Sequence, residues 1–290
     1  MYMPSVQERL EYYIGDTKGP YTEKPVDHKK GHDVPIFIEW ENYKLNYNQI
    51  HPGTAYPIDV ARIMKHSKRK KLWFDCGDAT YTGPVYPVFV KVRNSESRGI
   101  IANLESPRHW GDMFRHEDPP WEHKRPELIW RGADTSRGLR LDFVKKFQPL
   151  YDVGFSQYVQ DALQDPVSYK REYIRGNMPI TELLKYKYLP VVDGNDKSSS
   201  LNWVLASNSV PLMPVPRFHS WLCEKFLEPG RHFVEVKPDF SDLPEKLEWC
   251  KAHDEECKRI AFEGTQYMLQ FTNRHVEDYI ESKLVEFAET

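Results

Sequence analysis

Short strands that alternate with helices from residue 127 onward constrain the fold of this sequence more than any other feature. Apolar runs that stop at glycine or polar residues cover residues 128–130, 151–155, 189–192, 210–213 and 232–236. Segments with helical spacing lie between them, at residues 139–147, 180–188, 199–208 and 220–226. This alternation predicts an α/β fold, in which helices cover both faces of a parallel sheet.

The chain after residue 243 is predicted to be helical. A helix that begins at Pro244 places four apolar residues on one face, and Gly264 is expected to end a helix there; the four are Leu247, Cys250, Cys257 and Ile260. A last helix has apolar residues at Val276, Ile280, Leu284 and Phe287.

Two of the predicted strands end in residues suited to phosphate. The strand at residues 128–130 is followed by Arg131, Gly132 and a polar segment that opens a helix. The strand at residues 189–192 is followed by Gly194 and three serines. Ligands of open α/β sheets bind at the carboxyl ends of strands, and phosphates bind the exposed amides of helix N-termini. This part of the chain therefore predicts a site for a phosphate-bearing ligand.

The N-terminal part of the chain is less regular. Strands are predicted at residues 36–40, 71–74 and 87–92, and a helix at residues 56–64. Glycines and prolines between residues 94 and 126 indicate loops and a crossing between domains. We predict two domains, residues 1–110 and 111–269, with a C-terminal helix at 270–290 that packs back on the first.

Composition narrows the class of protein. The 290 residues carry a net charge of −3, which provides no general field for nucleic acid. No run of 18 apolar residues predicts a membrane span, and the first ten residues lack the pattern of a secretory signal. The four cysteines form no Cys-x-x-Cys pair and suggest no disulfide framework. We expect a cytoplasmic protein.

Four blocks in order resemble glycosyltransferase family 90, which includes protein O-glucosyltransferases and capsule-associated xylosyltransferases. They are residues 129–136 (IWRGADTS), 186–189 (YKYL), 205–212 (LASNSVPL) and 228–243 (EPGRHFVEVKPDFSDL), with Gly264-Thr265-Gln266 behind them. The resemblance covers residues 125–270 and extends back to Leu72. It is closest to bacterial and viral members without a signal segment, including β-xylosyltransferases.

The resemblance implies a GT-B architecture, in which two Rossmann-like domains with parallel sheets face a cleft. It implies inverting, metal-independent transfer from a UDP-sugar to a hydroxyl of a glycan or glycoprotein acceptor, with xylose favoured over glucose. No cofactor is expected, because the UDP-sugar is a substrate. The sequence has no Asp-x-Asp pair and no histidine spacing of a metal site, so we expect no metal.

Asp78 is the predicted catalytic base. It follows Gly77 at the end of the strand at residues 71–74, which is where the family places its catalytic aspartate. Inverting transfer needs a group that takes the proton of the acceptor hydroxyl. A turn-capping role for Asp78 is the alternative, and Asp75 is the rival base.

The donor diphosphate is predicted to bind Gly132, Thr135, Arg137, Arg140 and the three serines Ser198, Ser199 and Ser200. The resemblance implies one phosphate-binding arginine shortly after the Arg-Gly block, at Arg137 or Arg140. We favour Arg140, because it opens the helix with its head free. A solvated arginine is the alternative, as is helix capping by Thr135 and Ser136.

Ser200 marks the clearest departure from the family. Animal members have an arginine near the start of this helix that holds the diphosphate, and residues 194–209 of this sequence contain none. Either the serines hold the phosphate with the helix amides, or another basic residue such as Lys197 does. A simple N-cap cluster is the remaining interpretation.

The nucleoside is predicted to bind Arg131, Gly194, Asp239 and Ser241. Structural pairing of Arg131, and capping by Asp239, Ser241 and Asp242 of a helix that begins at Leu243, explain the same pattern. Two alternatives from other classes are a catalytically inactive sugar-nucleotide-binding or glycan-binding module and a protein O-glucosyltransferase acting on serine. A dinucleotide oxidoreductase lacks support, because no Gly-x-Gly-x-x-Gly follows any strand.

Overall fold

The computed structural model describes residues 3–17, 36–39, 56–76, 87–104 and 113–290. The chain divides into two compact units. The first comprises Met1–Gly111, Arg217–Phe226 and Phe271–Thr290, and the second comprises Asp112–Pro216 and Leu227–Gln270. Each unit has its own sheet.

The described helices and strands follow one another along the chain as follows. The helices are α1 (Val6–Ile14), α2 (Tyr56–Met64), α3 (Leu139–Phe147), α4 (Asp161–Gln164), α5 (Ile180–Leu183), α6 (Ser200–Leu205), α7 (Leu243–Ala252), α8 (Asp254–Leu269) and α9 (Arg274–Glu289). The strands are β1 (Ile36–Glu39), β2 (Lys71–Asp75), β3 (Val88–Val90), β4 (Val92–Arg93), β5 (Ile100–Ile101), β6 (Arg125–Ala133), β7 (Asp152–Gln157), β8 (Tyr186–Pro190), β9 (Val210–Met213), β10 (His219–Ser220) and β11 (Val234–Glu235).

The second unit is built on five parallel strands, in the order β11, β9, β8, β6, β7. This confirms the parallel sheet that the alternating pattern predicted. Taken along the chain within this unit, the order is fifth, fourth, third, first, second. The connections therefore run to one side after β6 and to the other side from β8 onward. In doubly wound sheets this reversal opens a crevice outside the carboxyl ends of the two central strands, here β6 and β8.

Aromatic side chains form the core between this sheet and its helices. Trp130 on β6 packs edge-on against Phe143 on α3 and Phe155 on β7, with ring centroids 5.4 and 6.1 Å apart. Phe143 also packs edge-on against Phe240, at 4.9 Å. All four rings are buried. The helical spacing of Phe143, Val144 and Phe147 thus produces the buried face of α3 that periodicity predicted.

The first unit contains a mixed sheet in the order β1, β2, β3, β5. Strands β2, β3 and β5 are parallel, whereas β1 runs antiparallel to β2. The predicted strand at residues 87–92 is divided at Lys91 into β3 and β4, and β4 pairs with β10 in a separate antiparallel ribbon. The expectation of a parallel sheet in this unit is therefore wrong at β1.

Helix α1 is joined to α9 by a buried ion pair within the first unit. Ser5 and Glu8 form a capping box that begins α1. One turn later, the Arg9 guanidinium donates to both carboxylate oxygens of Glu277 at 2.8 Å and lies 4.7 Å from the centroid of the Phe271 ring. Arg9 is only 2% exposed, so it requires this partner.

Three predictions for the C-terminal half need correction. Residues 220–226 do not form a helix: β10 ends at Ser220 and a 3-10 helix covers Glu224–Phe226. The helix predicted from Pro244 is two helices, α7 and α8, which are separated at His253. Gly264 lies inside α8 instead of ending a helix, and it packs closely against Leu205, since an added Cβ would lie 3.2 Å from Leu205 Cδ2.

Helix α5 is also shorter than the segment 180–188, because β8 already begins at Tyr186. All four cysteines are buried thiols and no disulfide joins them. Across the described ranges, every helix is too short or too polar to cross a membrane.

We expect Arg9→Met to lower the free energy of unfolding by about 3 kcal/mol, because it leaves the partly buried Glu277 carboxylate without this cation. Lys283→Met is the matched control: it removes an exposed pair with Glu286 on the same helix and should change stability by less than about 0.5 kcal/mol. Chemical denaturation measures both variants. Equal effects of the two substitutions would contradict a structural role for the Arg9 pair.

Candidate functional site

The candidate site lies at the carboxyl ends of β6 and β8, where the strand order of the second unit reverses. The turn at residues 134–138 leaves β6, and the loop at residues 191–199 leaves β8. Because these strands are direct neighbours, their following loops lie side by side at one edge of the sheet. Four of the seven residues predicted to hold the donor diphosphate come from these two loops; they are Thr135, Arg137, Ser198 and Ser199.

Arg140 joins the two loops through its guanidinium. Its Nε donates to the carbonyl oxygens of Val192 at 3.3 Å and Asp193 at 3.1 Å, and Nη2 donates to Val192 O at 3.0 Å. On the opposite side, Nη1 donates to Ala133 O at 3.1 Å and to Thr135 Oγ1 at 2.9 Å. The expectation that Arg140 has a free head is therefore wrong, and so is the alternative that it is solvated.

Burial lowers the pKa of Arg140 to about 10, although the nearby carboxylates of Asp193 and Asp196 act in the opposite direction. The guanidinium remains charged at neutral pH. Its position 5.8 Å from the centroid of the Trp130 ring adds a cation–π contact beneath it. Arg140 is thus enclosed by an aromatic ring, four oxygen atoms and acidic neighbours.

Both predicted glycines pack closely against other side chains. A Cβ at Gly194 would lie 3.2 Å from Thr135 Oγ1 and 3.3 Å from Arg140 Nη2. A Cβ at Gly132 would lie 2.5 Å from Trp130 Cζ2. The space that a side chain would fill is therefore taken by Trp130 at Gly132, and by Thr135 and Arg140 at Gly194.

Asp134 joins the turn after β6 to the loop after β7, a role that sequence inspection missed. Its side chain is fully buried and accepts hydrogen bonds from the amides of Val159 and Gln160 and, at 2.7 Å, from the amide of Ala162. The only signal in the sequence is an aspartate directly after an apolar strand, a position at which Asp commonly binds backbone amides.

The turn between β6 and α3 has an unusual backbone. Ser136, Arg137 and Gly138 have φ values of 132°, 52° and 101° in succession. Positive φ is costly for residues with a Cβ, and such conformations concentrate at functional sites. The Ser136 hydroxyl accepts from the amide of Arg140 at 2.9 Å and so satisfies one amide of the first turn of α3, although Gly138, not Thr135 or Ser136, occupies the N-cap position.

Arg137 is exposed at this turn. Within the described part of the chain its side chain makes neither a hydrogen bond nor an ion pair. It differs in this respect from Arg140, which lies three residues further on.

The three serines lie where α6 begins. The hydroxyls of Ser198 and Ser200 are 2.8 Å apart, and the amide of Ser198 donates to Asp193 Oδ1 at 3.3 Å. Ser199 occupies the N-cap position but makes no capping hydrogen bond with its side chain, so the simple N-cap interpretation is not observed. Lys197 is buried and donates to Asn202 Oδ1 at 3.0 Å.

The predicted nucleoside residues lie apart from one another. Arg131 pairs with Asp152 at the start of β7, with Nη2 2.6 Å from Oδ1, which is the structural pairing given as its alternative. Asp239 accepts from the amide of Ser241 at 3.0 Å, and this hydrogen bond lowers the pKa of the Asp239 carboxyl. Asp242 takes the N-cap position of α7, yet its carboxylate accepts from the amide of Lys237.

Asp78, the predicted base, lies outside the described residues, as does Gly77. The rival Asp75 is the last residue of β2 and is buried. Trp121 packs in the core, where its Nε1 donates to Asp254 Oδ2 at 2.9 Å. His123 closes the 3-10 helix that begins at Trp121.

The geometry brings Thr135, Arg140 and Gly194 together where the loops after β6 and β8 meet. Gly132 and Arg137 belong to the β6 side of this edge by chain connectivity, and the serines belong to its β8 side. Asp239 and Ser241 follow the outermost strand β11, two strands away from β8. The second unit is thus a doubly wound α/β unit whose strand order reverses between β6 and β8, the place where proteins of this class bind their ligands.

Comparison with known proteins identifies the family. The model of Glycosyl transferase family 90 matches residues 76–290, and the chain belongs to this family. O-glucosyltransferase LpsA of Dichelobacter nodosus is 34% identical over 231 residues, which are 77% of this chain and 69% of that protein. Protein O-glucosyltransferase 3 of Homo sapiens is 32% identical over 237 residues, and uncharacterized protein 179R of Invertebrate iridescent virus 6 is 25% identical over 203 residues.

The chain spans less than half of the second and third of these relatives. The similar region is 80% of this chain but 42% of the human protein, and 57% of this chain but 17% of the viral one. These similarities establish the family of the chain, which is a family of glycosyltransferases.

We expect Asp134→Asn to lower the free energy of unfolding by about 2 kcal/mol, because one of its two oxygens becomes an NH₂ group that faces backbone amides. Asp165→Asn is the control, since Asp165 is exposed and its carboxylate accepts from the Ser168 amide at 3.2 Å at the surface. Denaturant unfolding compares the two. A change below about 0.5 kcal/mol at Asp134 would show that the carboxylate does not hold the β7 loop.

Proposed function

We propose that this chain is an inverting, metal-independent glycosyltransferase that transfers a sugar from a UDP-sugar to an acceptor hydroxyl. The observation that carries the proposal is the crevice between β6 and β8, because it combines a switch point, a strained turn before α3 and an exposed arginine in a chain of this family. These are the features expected where a diphosphate binds.

The diphosphate would meet the turn at residues 132–137 on one side and the serines on the other. Anions are favoured near the N-terminus of a helix, because its first amides and its dipole are positive there. The hydroxyls of Ser198 and Ser200 offer donors at the opposite side of the crevice. Stabilisation of the leaving diphosphate would thus come from amides, hydroxyls and an arginine.

The acceptor side would belong to the first unit, in a GT-B arrangement. In the sequence, Asp78 comes three residues after β2 ends at Asp75, and the resemblance to the family is what assigns Asp78 the role of base. In the proposed reaction the Asp78 carboxylate takes the proton of the acceptor hydroxyl. The oxygen of the acceptor hydroxyl then attacks the anomeric carbon of the sugar. The bond between that carbon and the diphosphate oxygen breaks on the opposite face, and UDP leaves.

The names of the relatives favour glucose as the transferred sugar. The bacterial and human relatives are named O-glucosyltransferases, whereas the sequence alone had favoured xylose. The human relative is named as acting on protein, which supports a serine hydroxyl as an alternative to a glycan acceptor. We therefore propose UDP-glucose first and UDP-xylose second.

UDP-glucose should raise the melting temperature more than UDP-xylose, UDP-galactose or a GDP-sugar at equal concentration. A ligand that binds only the native state stabilises it by RT ln(1 + [L]/Kd), so at a hundred times Kd the gain is about 2.7 kcal/mol. UDP alone is the control for binding through the nucleotide. Stabilisation by UDP-xylose alone would reverse the order of the donors, and no shift with any nucleotide would count against the function.

Asp78→Asn should retain UDP binding and lose roughly 10²–10⁴ in the rate of transfer, because the amide cannot take the acceptor proton. Asp75→Asn tests the rival base. Asp165→Asn is the control, because it makes the same substitution at an exposed aspartate that has no proposed role in transfer. Release of UDP in the presence of acceptor measures all three. Transfer by Asp78→Asn at a near-normal rate would remove Asp78 from the mechanism, and a wild-type chain that releases no UDP would favour an inactive binding module.

A further inference from the structure

We propose that the loop after β7, residues 158–169, inserts its exposed aliphatic side chains into a lipid surface that carries anionic headgroups. The loop belongs to the second unit and contacts both loops of the candidate site. The inference does not depend on the UDP-sugar donor, because it rests on the exposure, rigidity and charge of this surface.

The aliphatic side chains of this loop project into solvent. Val167 is 86% exposed and Leu163 is 77% exposed, and these are the highest values among the large apolar side chains whose burial the structure describes. Val159, which is 44% exposed, adds a third aliphatic side chain to the same loop. Single exposed aliphatic residues are common on protein surfaces, whereas a group of them in one loop indicates a contact surface.

The same loop turns its aromatic rings and one carboxylate inward. Tyr158 and Tyr169, at its two ends, pack edge-on with ring centroids 5.5 Å apart, and both rings lie against the buried ring of Phe155. Asp161 is buried and accepts from the Tyr169 hydroxyl at 3.2 Å. The groups that could make polar contacts with water are therefore inside, and the aliphatic groups are outside.

Hydrogen bonds hold this loop in one conformation. The Asp134 carboxylate accepts from three backbone amides at the start of the loop. Further along, the Asp165 amide donates to Asp161 O at 3.0 Å, and the Ser168 amide donates to Asp165 Oδ1 at 3.2 Å. The aliphatic side chains thus stand on a preformed loop, so little conformational entropy is lost when they enter an apolar phase.

The surface around the loop is basic. Residues 137–175 contain seven Lys and Arg against five Asp and Glu, a net charge of +2 in a chain whose total is −3. Four of these cations are exposed beside the loop; they are Lys145, Lys170, Arg171 and Arg175. The exposed carboxylates of residues 158–175 are Asp165 and Glu172, and Glu172 lies 3.8 Å from the Lys170 ammonium. The excess of cations favours anionic headgroups over neutral ones.

The form of this surface favours lipid over a protein partner. A stable protein interface buries about 800 Å² on each side, around aromatic or arginine anchors that fit into pockets. Side chains as exposed as Leu163 and Val167 stand clear of their neighbours and provide no such flat or concave face. A fluid apolar phase needs no complementary shape, so it accepts aliphatic side chains one by one.

The loop after β7 shares its framework with the candidate site. The Asp134 carboxylate joins it to the turn after β6. Asn195, in the loop after β8, donates from Nδ2 to Gln160 Oε1 at 2.9 Å. Docking through the loop would therefore hold the candidate site near the lipid surface.

Co-sedimentation of the full chain with vesicles tests the role of the aliphatic side chains. Wild type should bind vesicles of phosphatidylcholine with about 30% phosphatidylglycerol about tenfold more strongly than phosphatidylcholine alone. Leu163→Ser combined with Val167→Ser should lower the partition coefficient about tenfold, because no aliphatic surface then enters the lipid. Val215→Ser combined with Phe262→Ser is the matched control, since both side chains are 57% exposed in the same unit, and it should bind like wild type.

The charge of the surface is tested separately. Lys170→Gln combined with Arg171→Gln should weaken binding to the anionic vesicles about fivefold, and about 0.5 M NaCl should remove most of this difference. Lys68→Gln combined with Arg69→Gln changes an exposed Lys-Arg pair of the first unit and should leave binding unchanged. All of these side chains are exposed, so melting temperatures within about 2 °C of wild type should show that each variant folds.

Wild-type protein that fails to sediment with either kind of vesicle would overturn the proposal. An equal loss of binding in Leu163→Ser/Val167→Ser and in its control would also overturn it. So would a wild-type dimer in sedimentation velocity that this double variant converts to a monomer, because a second copy would then cover the loop. These measurements need no nucleotide, so a chain that binds no UDP-sugar would refute the proposed function without affecting this inference.

Discussion

The parallel direction of the five strands in the second unit is the constraint from which the site follows. All of these strands end at the same edge, so the loops after β6, β7 and β8 emerge together with backbone groups that the sheet no longer pairs. Asp134 satisfies amides of the β7 loop, and Arg140 satisfies carbonyls of the β8 loop. Asp134 lies in the turn after β6, and Arg140 lies in the first turn of the helix that follows. The segment after β6 therefore holds the loops after β7 and β8 in place.

These two residues suit the groups that they satisfy. A carboxylate accepts hydrogen bonds and meets N–H groups, whereas a guanidinium donates them and meets carbonyl oxygens. Hydrogen bonds to charged groups contribute about 1.5–3 kcal/mol each, more than those between neutral groups. A loop edge that must keep its shape while a ligand enters and leaves is well served by such bonds.

Periodicity predicted the elements of the second unit because their cores are continuous apolar faces. Phe143, Val144 and Phe147 recur at helical spacing, and the strand runs at 128–130, 189–192 and 210–213 are buried at every residue. Periodicity failed at residues 220–226 because of a local competition: the Glu224 carboxylate accepts from the amide and the hydroxyl of Ser220, which ends the strand without a regular helix. The antiparallel direction of β1 depends on pairing with β2, some 35 residues along the chain, and no local pattern encodes it.

The sequence predicted where the candidate site lies, but it did not predict which contacts form the site. Glycines and hydroxyl residues after two strands indicate the crevice, and the structure brings Thr135, Arg140 and Gly194 together there. The partners of Arg140 are backbone carbonyls, which every residue possesses, so nothing in the sequence at positions 192 and 193 distinguishes them. A free and an occupied arginine look the same until the neighbouring strand is placed.

The strained turn explains how two nearby arginines can differ. In a regular helix, residues three apart lie on the same face and would share one environment. Arg137 precedes α3 in a left-handed conformation, so it does not share the helical direction of Arg140. Such a conformation costs of order 1–3 kcal/mol for a residue with a side chain, and the surrounding structure must hold it. Here the Ser136 hydroxyl bound to the Arg140 amide and the Asp161 carboxylate 3.3 Å from the Gly138 amide supply that support on both sides of Arg137.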